Sequence, residues 1–298
     1  MLESARLASL NAEIHPGSTL NRSPIPFQPF GGDLVTVLLW DAPTTMSVVK
    51  HDQLDEWGAR FDDLLAVAID NLADEPAGGW RTVDNRVWIS ECRDDYDGAR
   101  MLIPEYLDQT GLAGELVVIH PNRNLLVVAA VDDVDGICTA CDLALTDLEA
   151  PSPISFQPLV GRDEDWRPLH LSPTHPAYEP WRRLTCFGHE LNHRILQQPL
   201  QQLIGDDLML SPYQLAEDNE GLVSSYTTWT EGVPSLLPRA DFVGLVTERG
   251  EAITAPWEAV HRLVGTMMEP TDHYPELWRV MTFPDSVGIN RLRNLSSS

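Results

Sequence analysis

The sequence predicts an α+β fold, in which helices and antiparallel hairpins are mixed within two sub-domains of α/β type. Apolar residues recur at helical spacing over residues 61–72, and several pairs of short apolar runs flank turn residues. Helices and strands do not alternate strictly, as they would in a parallel sheet. With 298 residues, the chain is long enough for one large domain or two ordinary ones.

The first part of the chain divides into an arm and a domain. Residues 1–32, rich in proline and glycine towards their end, are interpreted as an N-terminal arm. Residues 33–160 are interpreted as the first α+β domain. The pattern predicts strands at 34–40, 46–49, 80–83, 86–91, 115–120, 125–131 and 154–160. It predicts helices at 61–72, 97–102 with a continuation to 109, and 135–148.

The second part begins after residues 161–180, which hold four prolines and predict a linker. Residues 181–298 then form a C-terminal α+β domain. Its first helix, 181–195, should be kinked or ended by Pro199. Hairpins are predicted for 208–215 with 222–230 and for 242–247 with 252–254. A helix from Pro256 capped by Thr254 and a strand at 278–283 follow, before a serine-rich tail that should fray.

The charge restricts the partners. The net charge of −25 repels phosphate backbones and anionic lipid, so we expect neither nucleic acid nor membrane as a partner, whereas a basic protein would suit. The longest apolar run, 125–131, is too short to cross a bilayer. Four scattered cysteines are typical of a reducing compartment, so we expect a cytoplasmic protein.

Several short sequence words carry a resemblance. In the first half they are Leu39–Pro43 (LWDAP), Leu54–Gly58 (LDEWG), Ala68–Leu72 (AIDNL), Asp94–Arg100 (DDYDGAR) and Pro121–Asn124 (PNRN). In this order they resemble the YtpQ-like family of bacterial proteins, for which no reaction is established. Ser225–Gly232 and Leu236–Asp241 are similar to the C-terminal region of its larger members. The resemblance implies a fold and a cytoplasmic setting, and it implies an ordinary packing helix before these last words.

One motif could carry catalysis. His189-Glu190-Leu191-Asn192-His193 matches H-E-x-x-H, in which the two histidines of one helical face bind Zn²⁺ and the glutamate takes a proton from zinc-bound water. A third ligand is needed, and the extended motif would require Gly and His where Leu196 and Pro199 stand. Glu217 and Glu220 fall around a predicted hairpin turn, and the positive Arg194 follows the second histidine. The required context of the motif is therefore missing.

Two other groups of residues are candidates for a binding surface and for a reactive cysteine pair. Asp97, Arg100 and Arg123 could pair to lock a helix against a hairpin or, with Asp95, could line a binding surface, and the pattern does not separate these options. Cys138 and Cys141 form a C-x-x-C beside several aspartates, which raise thiol pKa values. These cysteines are therefore interpreted as small core residues.

Three hypotheses follow. The first is a non-catalytic YtpQ-like binding protein without a cofactor, because the chain holds good structural patterns and no complete catalytic set. The second is a zinc-dependent metallopeptidase with His189 and His193 as ligands and Glu190 as general base. The third and weaker one is an acidic neutraliser of a basic protein partner.

Overall fold

The computed structural model describes residues 2–4, 25–42, 45–163, 165–205, 207–271 and 273–296, and most of the predicted N-terminal arm (5–24) lies outside them. The chain forms two compact units, with the described residues up to 188 in the first and those from 189 in the second. Both units mix helices with largely antiparallel sheets, which confirms the predicted α+β class. No helix among the described residues has the length and apolar character needed to cross a membrane.

The first unit begins with small β-structures. A three-stranded antiparallel sheet, in the order β1-β3-β2, is formed by β1 (Leu2–Ser4), β2 (Phe27–Gly31) and β3 (Leu34–Val37). A hairpin of β4 (Leu39–Ala42) and β5 (Thr45–Val48) follows, and then helices α1 (His51–Trp57) and α2 (Phe61–Asp74). The single strand predicted at 34–40 is therefore wrong: it is interrupted at Leu38, because β3 and β4 pair with different strands.

A six-stranded antiparallel sheet carries the core of the first unit. Its strands are β6 (Trp80–Val83), β7 (Val87–Ser90), β8 (Leu116–Asn122), β9 (Leu125–Ala130), β10 (Leu159–Arg162) and β11 (Asp165–Pro168), in the order β11-β10-β8-β9-β7-β6. Between them lie a 3₁₀ helix (Gly98–Leu102), α3 (Pro104–Asp108) and α4 (Val134–Leu145). Every residue of β8 is buried, and α4 packs against β8 and β9.

Two predictions in this region need correction. The strand expected from residue 154 begins only at Leu159, although Ile154 and Ser155 are buried and donate backbone hydrogen bonds to Pro121 and His120. The segment predicted as a linker, 161–180, contains strand β11, whose pairing with β10 extends the sheet and buries Trp166. That segment lies in the first unit.

Helix α5 (Tyr178–Ile204) contains the division between the units and continues through Pro199, so the proline does not end it. Two four-stranded sheets of mixed direction make up the second unit. Their strands are β12 (Met209–Leu210), β13 (Gln214–Glu217), β14 (Val223–Thr230), β15 (Ser235–Pro238), β16 (Phe242–Val246), β17 (Ala252–Pro256), β18 (Met268–Pro270) and β19 (Leu277–Val280). The orders are β12-β15-β19-β18 and β13-β14-β16-β17, and the hairpin predicted for 242–247 with 252–254 is confirmed. The single strand predicted at 208–215 is wrong, because its residues divide between β12, which pairs with β15, and β13, which pairs with β14.

Helices complete the core of the second unit. Helix α6 (Trp257–Val264) buries Trp257, Val260 and Val264, as its apolar stripe predicts, and leads into a 3₁₀ turn at Gly265–Met267. Pro256, not Thr254, occupies the cap position of α6, because the helix begins at Trp257. The last strand ends at Val280, and helix α7 (Ser286–Ser296) occupies the region where a fraying tail was predicted.

Candidate functional site

The H-E-x-x-H residues lie on helix α5 in the second unit. His193 is buried, with 8% of its surface exposed, whereas the apolar Ile195, two residues later, is exposed. The face that carries the histidines is therefore not a simple solvated face. Chain segment 210–213 lies beside this part of the helix and lines a cavity with it.

Tyr213 is the main aromatic neighbour of the two histidines. Its ring stacks on that of His193 with centroids 4.8 Å apart and lies 6.4 Å from the ring of His189. Burial, with a further contribution from nearby His189, lowers the pKa of His193 to about 3. The imidazole of His193 is therefore neutral at physiological pH.

Glu190, the predicted general base, forms an ion pair with Arg194 one turn later, with 3.6 Å between guanidinium nitrogen and carboxylate oxygen. The side-chain amide of Asn192, which lies between the two histidines in sequence, donates a hydrogen bond of 2.8 Å to the hydroxyl of Tyr274. Arg194 thus places a positive charge beside the carboxylate. A zinc site would have to accommodate that charge.

A third metal ligand is not evident in the described part of the chain. No three His, Cys, Asp or Glu side chains of the described residues come together as a metal-binding group. Glu217, at the end of β13, and Glu220 fall around the β13–β14 turn, as the sequence predicts. The structure therefore brings His189 and His193 near each other, and no third His, Cys, Asp or Glu among the described residues completes a metal-binding group with them.

A cavity of about 190 Å³ lies beside this helix, within the second unit. Its lining residues are Glu190, His193, Arg194, Gln197, Leu210, Ser211, Pro212 and Tyr213. Ser211 is buried, with 2% of its surface exposed, and its hydroxyl has no hydrogen-bond partner among the described residues. Sequence reasoning missed Ser211 and Tyr213, since both fell inside a predicted strand and belong to no recognised motif.

The second group of predicted residues lies in the first unit, between β7 and α3. Asp97 is buried, and its carboxylate accepts hydrogen bonds from the hydroxyl of Ser90 and from the backbone N–H of Arg93. Ser90 also exchanges a hydrogen bond of 2.8 Å with the hydroxyl of Tyr106. Asp97 therefore fixes the loop after β7 and gives no side-chain cap to the 3₁₀ helix.

Arg100 is also buried, and it pairs with Asp94 and not with Asp97. Two guanidinium nitrogens donate to the Asp94 carboxylate at 2.9 and 2.7 Å. Burial alone would raise the pKa of Asp94, but the hydrogen bonds from Arg100 and from the backbone N–H of Tyr96 hold that pKa below its ordinary value. Of the four residues that could line a binding surface, Asp97 and Arg100 therefore lie in the interior.

Asp95 ties the same loop to the β8–β9 turn. Its backbone N–H donates to the side-chain oxygen of Asn124 at 2.9 Å, and the Asn124 amide donates back to its carboxylate at 2.8 Å. Arg123, the other predicted member, is half-buried in that turn. The contacts of Asp95, Asp97 and Arg100 are those of a lock between the loop and the sheet.

The His120 ring lies against the 3₁₀ helix of this region, next to Gly98. It is buried, its Nδ1 lies 3.1 Å from the carbonyl oxygen of Leu125, and burial is the main cause that lowers its pKa to about 4. A Cβ placed on Gly98 would lie only 2.1 Å from the Nε2 of His120. The glycine therefore allows the 3₁₀ helix to approach the imidazole ring.

An exposed aromatic pair stands out on the surface of the first unit. Trp40 of β4 and Trp57 of α1 are 55% and 42% exposed, and their rings lie 5.4 Å apart. The chain segment that holds them, residues 40–75, contains nine acidic residues and two basic ones, Lys50 and Arg60. All nine acids are exposed: Asp41, Asp52, Asp55, Glu56, Asp62, Asp63, Asp70, Asp74 and Glu75. We call Trp40, Trp57 and these nine acids the acidic tryptophan surface.

Sequence reasoning missed this surface, although both tryptophans lie within words quoted for the family resemblance. The sequence does not show that Trp40 and Trp57 meet, since they come from a hairpin and a helix. Nor does the residue type reveal exposure, because tryptophan is usually well buried.

In the C-x-x-C pair, Cys141 is a buried core thiol and Cys138 is half-buried. Burial, with nearby Cys138 and Asp142, raises the pKa of Cys141 to about 12. Burial and the neighbouring Asp142 and Asp135 raise the pKa of Cys138. Neither cysteine is activated as a thiolate, as the sequence interpretation expects.

Comparisons of the chain with protein-family models, with curated proteins and with solved structures found no match.

Proposed function

We propose that this chain is a non-catalytic binding protein, YtpQ-like in its first half, whose partner is a basic, arginine-containing protein segment. The observation that supports this most is the acidic tryptophan surface, in which an exposed Trp40–Trp57 pair lies in a chain segment that carries nine exposed acidic residues. The proposal requires no cofactor.

The chemistry of this surface matches a guanidinium group. Arginine stacks on tryptophan faces by cation–π attraction and also pairs with carboxylates, so one side chain can use both features. Of the two basic residues in the segment, Arg60 already forms an ion pair with Asp62, with 3.5 Å between guanidinium nitrogen and carboxylate oxygen. Nine acidic residues against two basic ones leave the surface with a large excess of negative charge. Tryptophan and arginine are also the residues that contribute most to protein interfaces.

The described cysteines favour a cytoplasmic setting. Cys92, Cys138, Cys141 and Cys186 are all free thiols. Free and buried thiols are typical of proteins in a reducing compartment.

Calorimetric titration with a synthetic arginine-rich peptide tests the proposal. We expect binding at low ionic strength that weakens in high salt, and no binding of a glutamate-rich peptide of the same length. The variant Asp52→Asn/Asp55→Asn/Glu56→Gln should bind the arginine-rich peptide about tenfold more weakly.

A matched control changes three exposed acids elsewhere, as Glu105→Gln/Glu149→Gln/Glu220→Gln. This control removes the same net charge and should retain the affinity of the wild type. Equal losses in both triple variants, or no binding at low salt, would reject the surface.

The zinc-peptidase hypothesis keeps one observation in its favour. His193 is held as a neutral imidazole, which is the form that binds metals. Its support is weaker, because no metal-binding group of three side chains occurs among the described residues and Glu190 is paired with Arg194. Stoichiometric zinc in untagged protein, lost in His193→Ala, would favour it over the binding proposal.

A further inference from the structure

The cavity beside α5 contains two buried side chains with unused hydrogen-bonding capacity. The hydroxyl of Ser211 has no partner among the described residues. His193 is 8% exposed, and its contacts in the described part of the chain are ring stacking on Tyr213 and proximity to His189, not hydrogen bonds. Leaving a buried polar group without a partner is unfavourable, so both groups favour a ligand that satisfies them.

The cavity also contains one carboxylate that is only loosely neutralised. The 3.6 Å separation of Glu190 and Arg194 exceeds the length of a charge-assisted hydrogen bond, and Arg194 extends outwards with 59% of its side chain exposed. The side chain of Glu190 is half as exposed, at 30%. An exposed pair of this kind contributes little stability, so Glu190 can accept a second cationic donor.

Apart from Arg194, whose guanidinium only donates, the lining offers acceptors and an aromatic face. Glu190 supplies a carboxylate, and Ser211 and Gln197 supply neutral oxygens. The ring of Tyr213 and the side chains of Leu210 and Pro212 supply apolar contact. A primary ammonium has three donors and no acceptor, and its charge also suits an aromatic neighbour.

The geometry points to this cavity as a binding site for a small primary amine, with Glu190 as the counter-charge and Ser211 as a neutral acceptor. Its volume of about 190 Å³ is below that of cavities for drug-sized ligands, so the amine carries a short alkyl chain. This inference uses only residues 190–213 and is independent of the acidic tryptophan surface.

Ligand-detected NMR and calorimetry with n-butylammonium test the site in the full chain. We expect binding of n-butylammonium and no binding of butyrate, which has the opposite charge, or of tetramethylammonium, which has no N–H donor. Ser211→Ala and Glu190→Gln should each weaken n-butylammonium binding about tenfold. Binding of butyrate in place of the amine, or wild-type amine affinity in either variant, overturns the proposal.

A second buried hydroxyl provides a matched control. Thr227 of β14 is 1% exposed, its hydroxyl also lacks a partner among the described residues, and it does not line the cavity. Without ligand, Ser211→Ala and Thr227→Val should each raise the melting temperature by a few degrees. Only Ser211→Ala should lose amine affinity, and an equal loss in Thr227→Val overturns the assignment.

Metal analysis distinguishes an amine site from a metal site in this cavity. If the chain is purified with stoichiometric zinc and chelation removes it together with amine binding, the cavity serves a metal and the amine site is wrong. If amine binding persists in chelator, the site stands.

Discussion

At the scale of single residues, Gly98 and His120 show how close packing determines residue type. The 3₁₀ helix approaches the buried imidazole so closely that a Cβ at Gly98 would lie 2.1 Å from its Nε2. The ring cannot move away easily, because its Nδ1 lies at hydrogen-bond distance from the carbonyl of Leu125. The tight contact therefore requires glycine on steric grounds and not because of its backbone angles.

We predict that Gly98→Ala destabilises the protein by about 1–3 kcal/mol, the usual cost of overpacking a buried site. Urea unfolding measures this change. Gly79→Ala is the control, because a Cβ there meets no atom within 4 Å, and it should change the free energy of unfolding by less than about 0.5 kcal/mol. Equal effects of the two variants would contradict the close approach.

His120 should also make stability depend on pH. Its pKa is about 4 in the folded protein against the ordinary 6.5, so between these values the unfolded chain binds a proton that the folded chain does not. The stability associated with neutral His120 is therefore complete above about pH 6.5 and declines as pH falls towards 4, by about 3 kcal/mol in total.

The prediction is checked by urea unfolding of wild type and His120→Gln at about pH 7 and about pH 4.5. The loss of stability on acidification should be about 2–3 kcal/mol smaller in the variant, because the glutamine does not titrate. An identical loss in both proteins would show that His120 is accessible or already charged in the folded state.

Residue roles were the least predictable level. The sequence singled out Asp97 and Arg100 as possible partners, but their actual partners are Ser90 with the backbone of Arg93, and Asp94. A charged residue that is buried is expected to have a partner. Its residue type does not show which residue that partner is. That choice depends on loop geometry, which has no periodic signal.

At the scale of elements, periodic patterns were informative. The stripe over 61–72 predicted helix α2, and the hairpins β6–β7, β8–β9 and β16–β17 were expected from apolar runs around turns. At the β6–β7 turn, Asp84 and Asn85 both have positive φ, which is the conformation that a two-residue turn requires.

Helix α7 was missed, because its polar and serine-rich sequence has few apolar positions. Among the side chains of α7 that the structure describes, only Ile289 and Leu292 are buried, and both belong to the core cluster of the second unit. Tertiary packing, and not intrinsic helix propensity, therefore stabilises this element.

We predict that Leu292→Ala destabilises the protein by about 2–5 kcal/mol, as expected for a leucine truncated in a packed core. Val287→Ala, on the exposed side of the same helix, should cost less than about 0.5 kcal/mol. Thermal unfolding of the two variants compares them directly. A stable Leu292→Ala variant would mean that α7 does not dock in solution.

At the scale of the whole molecule, the pattern of apolar residues predicted the class of fold, and the net charge suggested the class of partner. The acidic excess suggested a basic protein partner, but overall charge does not identify a surface. The acidic tryptophan surface depends on β4 and α1 meeting, and no sequence pattern indicates that contact. The same limit applies to the cavity beside α5, because Ser211 and Tyr213 lie in no recognisable motif.

Overall charge and a specific surface make different predictions. A simple acidic neutraliser would bind any basic partner through its net charge of −25, and its uncharged residues would not matter. A specific surface would depend on its two tryptophans, because they supply the desolvated contact that charges alone do not provide. Removing tryptophans without changing charge therefore separates the two accounts.

The most direct measurement is the affinity of the arginine-rich peptide for the Trp40→Ala/Trp57→Ala variant at low ionic strength, beside Met281→Ala, which removes an exposed apolar side chain of the second unit. We predict that the double variant binds about tenfold more weakly than wild type, while Met281→Ala binds normally. Wild-type affinity in the folded double variant would contradict the proposed surface and leave only non-specific attraction between charges.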